Sequence, residues 1–159
     1  MTISFRYDRK KVIQALRYHF ISKKEIRILI ILVNVFALFA AAMFFWKKIT
    51  PVALLLSSFL WFCLMVAFWF ILPFTVYSRA QTFKDSFTLT FQDAYMHIEN
   101  PNGTKRWNYK EFKYFIETPN FFHLYVDERS FFLIPKDAFT ETEDTHTARL
   151  LLREKIGQK

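Results

Sequence analysis

Glycine is almost missing from this chain of 159 residues, which has only Gly103 and Gly157. A loop that cradles phosphate with backbone amides needs several glycines close together, so nucleotide binding by that route is excluded. Cysteine is scarcer still. Cys63 stands alone, which removes intrachain disulfides and cysteine-based metal sites together. The four histidines, at 19, 97, 123 and 146, lie far apart and form no HExxH pattern. His97 and His123 could meet on neighbouring strands, but nothing completes a metal site around them, and His146 beside Glu143 and Asp144 fits a solvated helix face. No histidine has an evident acid-base partner, and no serine stands in a nucleophile elbow. The chain is therefore read as a non-enzyme, with no cofactor, metal or catalytic residue.

Charge is missing from two long stretches. Ile28 to Trp46 runs for 19 residues with Asn34 as its only strongly polar member, and Val52 to Leu72 runs for 21 with Ser57, Ser58 and Cys63 as mild interruptions. At about 1.5 Å of rise per residue, each would span roughly the 30 Å of a bilayer's hydrocarbon core. Too little chain remains to cover two such helices in water, so a membrane α-helical hairpin is expected over 28–77, with spans at 28–46 and 52–72. The first run starts too late and extends too far for a signal peptide. Pro73 marks where the second helix is expected to stop. Folded antiparallel about the short loop, Ala40, Ala41 and Ala42 lie level with Leu55 to Ser58, and Asn34 lies level with Cys63. Small residues at that depth allow close approach, the serines can return hydrogen bonds to backbone carbonyls, and an intramembrane asparagine stitches helices together. Asn34, Ser57 and Ser58 are thus candidate intramembrane contacts. A transport pathway would need more polar groups than these.

The formal net charge is +8. Residues 1–27 carry a net +6, the loop adds Lys47 and Lys48, and residues 77–159 carry twelve charges of each sign. The excess is therefore juxtamembrane, which argues against nucleic acid as a partner and for anionic lipid headgroups. Arg9, Lys10, Lys11, Arg17, Lys23, Lys24 and Arg27 are the candidate lipid-surface cations. Their concentration before the first span places both termini on the cytoplasmic side of the inner membrane, with the loop outside.

Ahead of the hairpin, Ile3, Phe5 and Tyr7 alternate with polar residues as in a short strand, and Asp8 is placed to cap a helix from Arg9. Val12, Ile13, Leu16 and Phe20 give that helix one apolar face, which can lie on lipid or on the domain that follows. From residue 81 the period changes to that of strands. Phe87, Leu89 and Phe91 alternate with polar residues, as do Met96 and Ile98, and Asn102-Gly103 signals a hairpin. Further strands are expected at 104–109, 112–117, 121–126 and 130–134, joined by short connections into an antiparallel meander. Thr140 and Glu143 have capping-box spacing for a closing helix with Ala148, Leu151, Leu152 and Ile156 on one face. The expected architecture is a helical hairpin plus an α+β cytoplasmic domain over 78–159, a PH-like antiparallel β sandwich with a C-terminal helix, preceded by the strand and basic helix of 1–27.

Several segments carry a resemblance. Phe87-Thr88-Leu89-Thr90-Phe91, Lys105-Arg106-Trp107-Asn108-Tyr109, Phe121-Phe122-His123-Leu124-Tyr125 and Phe132-Leu133-Ile134-Pro135-Lys136-Asp137-Ala138-Phe139 resemble the YcxB-like family, as does Tyr7-Asp8 through Arg17-Tyr18-His19. The resemblance implies a small bacterial membrane protein with two membrane helices and a cytoplasmic PH-like domain, and no catalytic residues. Phosphoinositide-binding PH domains carry basic residues between their first two strands. Here that loop reads Gln92-Asp93-Ala94, which argues against such a headgroup. Function is expected to lie in docking a protein partner of unknown identity, or a second copy, with Trp107, Pro135, Lys136 and Asp137 as candidate docking residues. The alternative is an accessory or immunity-type subunit of a membrane assembly, acting through the hairpin.

Overall fold

The computed structural model describes residues 1–159, in two compact units. One unit joins Met1–Ala15 to Gln81–Lys159, and the other is Leu16–Ala80. These limits differ from divisions at 27/28 and 77/78, because the first strand pairs with a strand that lies beyond the apolar helices.

In the first unit, β1 (Thr2–Arg6), β2 (Ser86–Phe91), β3 (Tyr95–Asn100) and β4 (Gly103–Asn108) form a four-stranded antiparallel sheet in that order. β1 lies in register on β2, with Ile3 opposite Leu89 and Phe5 opposite Phe87. A second antiparallel sheet holds β5 (Tyr114–Glu117), β6 (Phe121–Tyr125) and β7 (Phe131–Pro135). The expected single meander is thus divided. The division falls at a 3-10 turn over Tyr109–Glu111, where the Asn108 amide donates to Glu111 Oε1 at 3.3 Å and turns the chain off the first sheet.

Strand alternation sends Phe5, Phe87, Leu89, Met96 and Ile98 into the core, while Ser4 and Thr88 join hydroxyls at 3.1 Å on the outer face. β6 has no solvent face, being buried at all five positions. Each large apolar side chain so removed from water contributes about 1.5–3 kcal/mol. The β3–β4 hairpin forms one residue earlier than Asn-Gly chemistry implies, with Asn100 opposite Gly103 and Pro101-Asn102 at the tip. Pro101 cannot take the positive φ that a type I′ turn demands at its first central residue. The positive φ falls on Gly103 instead, at 148°.

Helix α1 (Arg9–Ser22) begins as expected, with the Lys11 amide donating to Asp8 Oδ1 at 3.0 Å. Its first half belongs to the β unit. Val12 and Ala15 are buried, Lys11 Nζ meets Asp137 at 2.6 Å, and Gln14 Oε1 accepts from Asn120 at 3.3 Å. Helix α5 (Thr142–Lys155) buries Ala148 and Leu152. The Thr140–Glu143 capping box does not form: Phe139 is held extended with its ring against Phe91 and Phe122, Glu141 is extended too, and the helix starts beyond both. After α5, Gly157 at φ 84° turns the tail onto β5, where the Phe115 amide donates to the Gly157 carbonyl and the Lys159 amide to the Phe115 carbonyl, each at 3.1 Å. One edge of the smaller sheet is thereby covered in part.

The second unit holds α2 (Lys24–Phe45), α3 (Pro51–Val66), a π turn (Ala67–Ile71) and α4 (Leu72–Arg79). A single extended residue, Lys23, separates α1 from α2. Between α2 and α3, Lys47 takes the left-handed conformation at φ 56°, and Thr50 Oγ1 accepts from the Ala53 amide at 3.3 Å just before Pro51. Only Val33 and Ala40 are buried on α2 and nothing on α3, while Leu38 and Leu55 stand 72% and 71% exposed. Both Lys24–Phe45 and Pro51–Arg79 are long and apolar enough to cross a membrane. The second does not stop at Pro73, as the sequence implied, but continues to Arg79.

Candidate functional site

Polar groups inside an apolar helix pair are costly unless satisfied, so they show where the pair is built. Asn34 donates through Nδ2 to the Ile30 carbonyl at 2.8 Å and accepts through Oδ1 from Trp61 Nε1 at 3.3 Å. The stitch between the helices therefore runs to Trp61 rather than to Cys63, which is exposed. Ser57 donates to the Leu54 carbonyl at 2.9 Å, closing its hydroxyl onto its own helix. Ser58 is exposed. Asn34, Ser57, Ser58 and Trp61 line one open cleft of about 420 Å³ together with Ala37 and Leu38. All three intramembrane candidates thus meet in one place. Sequence reasoning missed Trp61, and its signal is an indole N–H in the middle of an apolar run, which needs an acceptor.

Several of the cations expected at the lipid surface make contacts within the protein. Lys11 is spent on Asp137, whose carboxylate raises the lysine pKa through their hydrogen bond. Arg17 donates through Nε to the Trp69 carbonyl at 2.9 Å. Lys23 stands 5.8 Å from the Phe20 ring centroid. Arg9, Lys10, Lys24 and Arg27 are exposed along the two helices that flank Lys23. Close by in sequence, His19 is buried, and burial with the charge of Lys23 pushes its imidazole down to about 4.

Pro135-Lys136-Asp137 proves to be internal bracing. Pro135 is buried at the end of β7 opposite Phe121, so it offers no docking surface. Lys136 Nζ reaches Glu117 Oε1 at 2.7 Å, and the same carboxylate takes Arg149 through Nε at 3.0 Å and Nη2 at 2.8 Å. Two cations hold the Glu117 carboxyl down to about 2, the Arg149 hydrogen bond being the main cause. Glu117 joins β5, the turn after β7 and α5 through one side chain. Asp137 is exposed but paired with Lys11.

Trp107 remains. It is half-buried, set edge-on to Phe112 at 5.4 Å and Phe132 at 5.3 Å, with Lys105 Nζ 4.5 Å from its ring centroid. It lies on β4, at the edge of the larger sheet, where all the other residues of the strand are exposed. The Arg106 guanidinium stands over the Tyr95 ring at 4.5 Å. In the turn that follows β4 the Tyr109 hydroxyl donates to the Gln92 carbonyl at 3.0 Å, and burial pushes it up to about 12.

The histidines do not converge. His97 lies on β3 of one sheet, beside Glu99 at 3.1 Å, and His123 on β6 of the other, its Nε2 3.2 Å from Thr118 Oγ1. They therefore do not sit on neighbouring strands. No group of three His, Cys, Asp or Glu side chains is placed to hold a metal ion. What the arrangement offers chemically is surface: a cleft with amide and hydroxyl groups in one unit, and a cationic, aromatic-backed strand edge in the other.

No curated protein and no solved structure matches the chain. Residues 91–146 match the family described as YcxB-like protein, a stretch that runs from the last residue of β2 into the first turns of α5. The similarity to the YcxB-like family thus spans β3 to β7, across both sheets.

Proposed function

We propose that the chain is an integral protein of the bacterial inner membrane that displays a PH-like domain at the cytoplasmic face and docks a protein partner there, or a second copy of itself. The observation that carries the membrane part is the pairing of β1 with β2 on either side, in sequence, of two apolar helices whose large side chains are mostly exposed. Strands in one sheet share one compartment, so whatever crosses the bilayer between them crosses it twice. The basic residues before α2 support a cytoplasmic location for both flanks. Two antiparallel sheets with a C-terminal helix are the arrangement of a PH-like sandwich, on fold analogy.

Docking is assigned to β4, because an exposed edge strand can add a strand from a partner through main-chain hydrogen bonds, with Trp107 and Arg106 supplying side-chain contact. A photo-crosslinking residue at Thr104 or Arg106, activated in native membranes, is expected to give one recurrent adduct of defined mass. A chain that remains monomeric and unlinked at both positions contradicts the docking role. The cleft around Asn34 favours a second reading, an accessory or immunity-type subunit working through its hairpin. Replacing the hairpin by an unrelated one separates them, since loss of the adduct at β4 follows only if the hairpin recruits the partner. Neither reading involves catalysis.

A further inference from the structure

A proline inside a long helix normally bends or stops it, because its ring strikes the carbonyl four residues back and leaves that carbonyl without its N–H partner. For Pro73 that carbonyl belongs to Trp69. The helix nevertheless passes through Pro73 to Arg79, with a π turn just ahead of it in which the Leu72 amide bonds to the Ala67 carbonyl, five residues back. The extra residue in the turn relieves the clash. The missing donor comes from elsewhere. Arg17 donates its Nε hydrogen to the Trp69 carbonyl at 2.9 Å, and its guanidinium stands 5.4 Å from the Trp69 ring centroid and 5.2 Å from that of Phe70.

We infer that Arg17 is a conformational latch on the second apolar helix: it supplies the hydrogen bond that Pro73 denies to Trp69, and so holds the widened, proline-containing form of Ala67–Arg79. A backbone donor in an intact helix is permanent, whereas a side chain can be withdrawn. With Arg17 docked the carbonyl is satisfied. With Arg17 withdrawn, it must draw in water or the turn must rearrange, because an unpaired carbonyl among apolar neighbours is costly. Arginine suits the task because it can donate along its edge while its plane rests on aromatic rings, which a lysine ammonium cannot do.

The test is amide hydrogen exchange across 67–79 in the full chain, reconstituted in lipid nanodiscs, for the wild type, R17A, P73A and the double variant. R17A is expected to speed exchange there by about tenfold, the loss of one hydrogen bond worth about 1.4 kcal/mol, with exchange in 30–40 unchanged. In the P73A background the same substitution is expected to change exchange less than about twofold, because the substituted backbone regains the missing N–H. Equal effects in both backgrounds, or none in either, overturn the latch. Should R17A fail to fold, recovery of the folded chain in the double variant supports the latch, and failure to recover overturns it.

Discussion

Two side chains give the protein distinct acid sensitivities. His19 is held neutral, down at about 4, so below its ordinary value near 6.5 the unfolded chain takes up a proton that the folded chain refuses. Its stabilising contribution is full above pH 6.5 and is lost as pH falls towards 4. Glu117, held down at about 2 by Arg149 and Lys136, contributes fully above its ordinary value of 4.5 and loses that contribution as pH falls towards 2. Denaturation of the detergent-solubilised protein across pH is expected to show both windows, with H19Q removing the upper and E117Q the lower. E117Q also leaves two cations without their carboxylate, and is expected to cost about 2 kcal/mol at neutral pH. An unchanged acid profile in either variant contradicts the assignment. At this scale the sequence was legible wherever partners are close along the chain, as with Asp8 capping α1. Glu117, Trp61 and Arg17 were illegible in their roles because each finds its partner on another element, and no spacing rule reports such a meeting.

Among the elements, β1 has a weight out of proportion to its length. It pairs at five positions with β2, and its Ile3 and Phe5 complete the core, with Tyr7 just beyond it donating from a buried hydroxyl to the Leu133 carbonyl at 2.7 Å. Residues 81–159 expressed alone are therefore expected to unfold without cooperativity. The same residues joined to 1–15 by a flexible linker are expected to unfold in one cooperative transition, read by circular dichroism with urea. Cooperative folding of 81–159 alone would show β1 to be dispensable. The alternation of Phe87 to Phe91, of Met96 to Ile98 and of the segments around β6 and β7 made the strands readable, because alternation is local. The division into two sheets was not, since it depends on the turn at Tyr109–Glu111 and its Glu111 bond. Pro73 misled for a related reason: a proline ordinarily ends a helix, and neither the π turn nor the Arg17 contact that accompanies it here is written in any local spacing.

For the whole molecule, the hairpin reading makes a prediction about chemical access. Cys63 is exposed on its helix yet would face lipid, so a membrane-impermeant maleimide is expected not to label it. K48C, in the loop, is expected to react in intact spheroplasts, and T104C only once the membrane is opened. Labelling of both new cysteines from the same side contradicts the topology. The pairing of β1 with β2 adds a consequence for biogenesis. The first strand leaves the ribosome well before its partner, with both apolar helices made in between, so on the proposed membrane reading the sheet closes only once the hairpin is in place. An insertion that drove only one arm across the bilayer would strand Thr2–Arg6 on the wrong side from Ser86–Phe91. The sheet would then keep a raw edge, open to proteases, and on the proposed reading a closed sheet would report that both apolar helices had crossed.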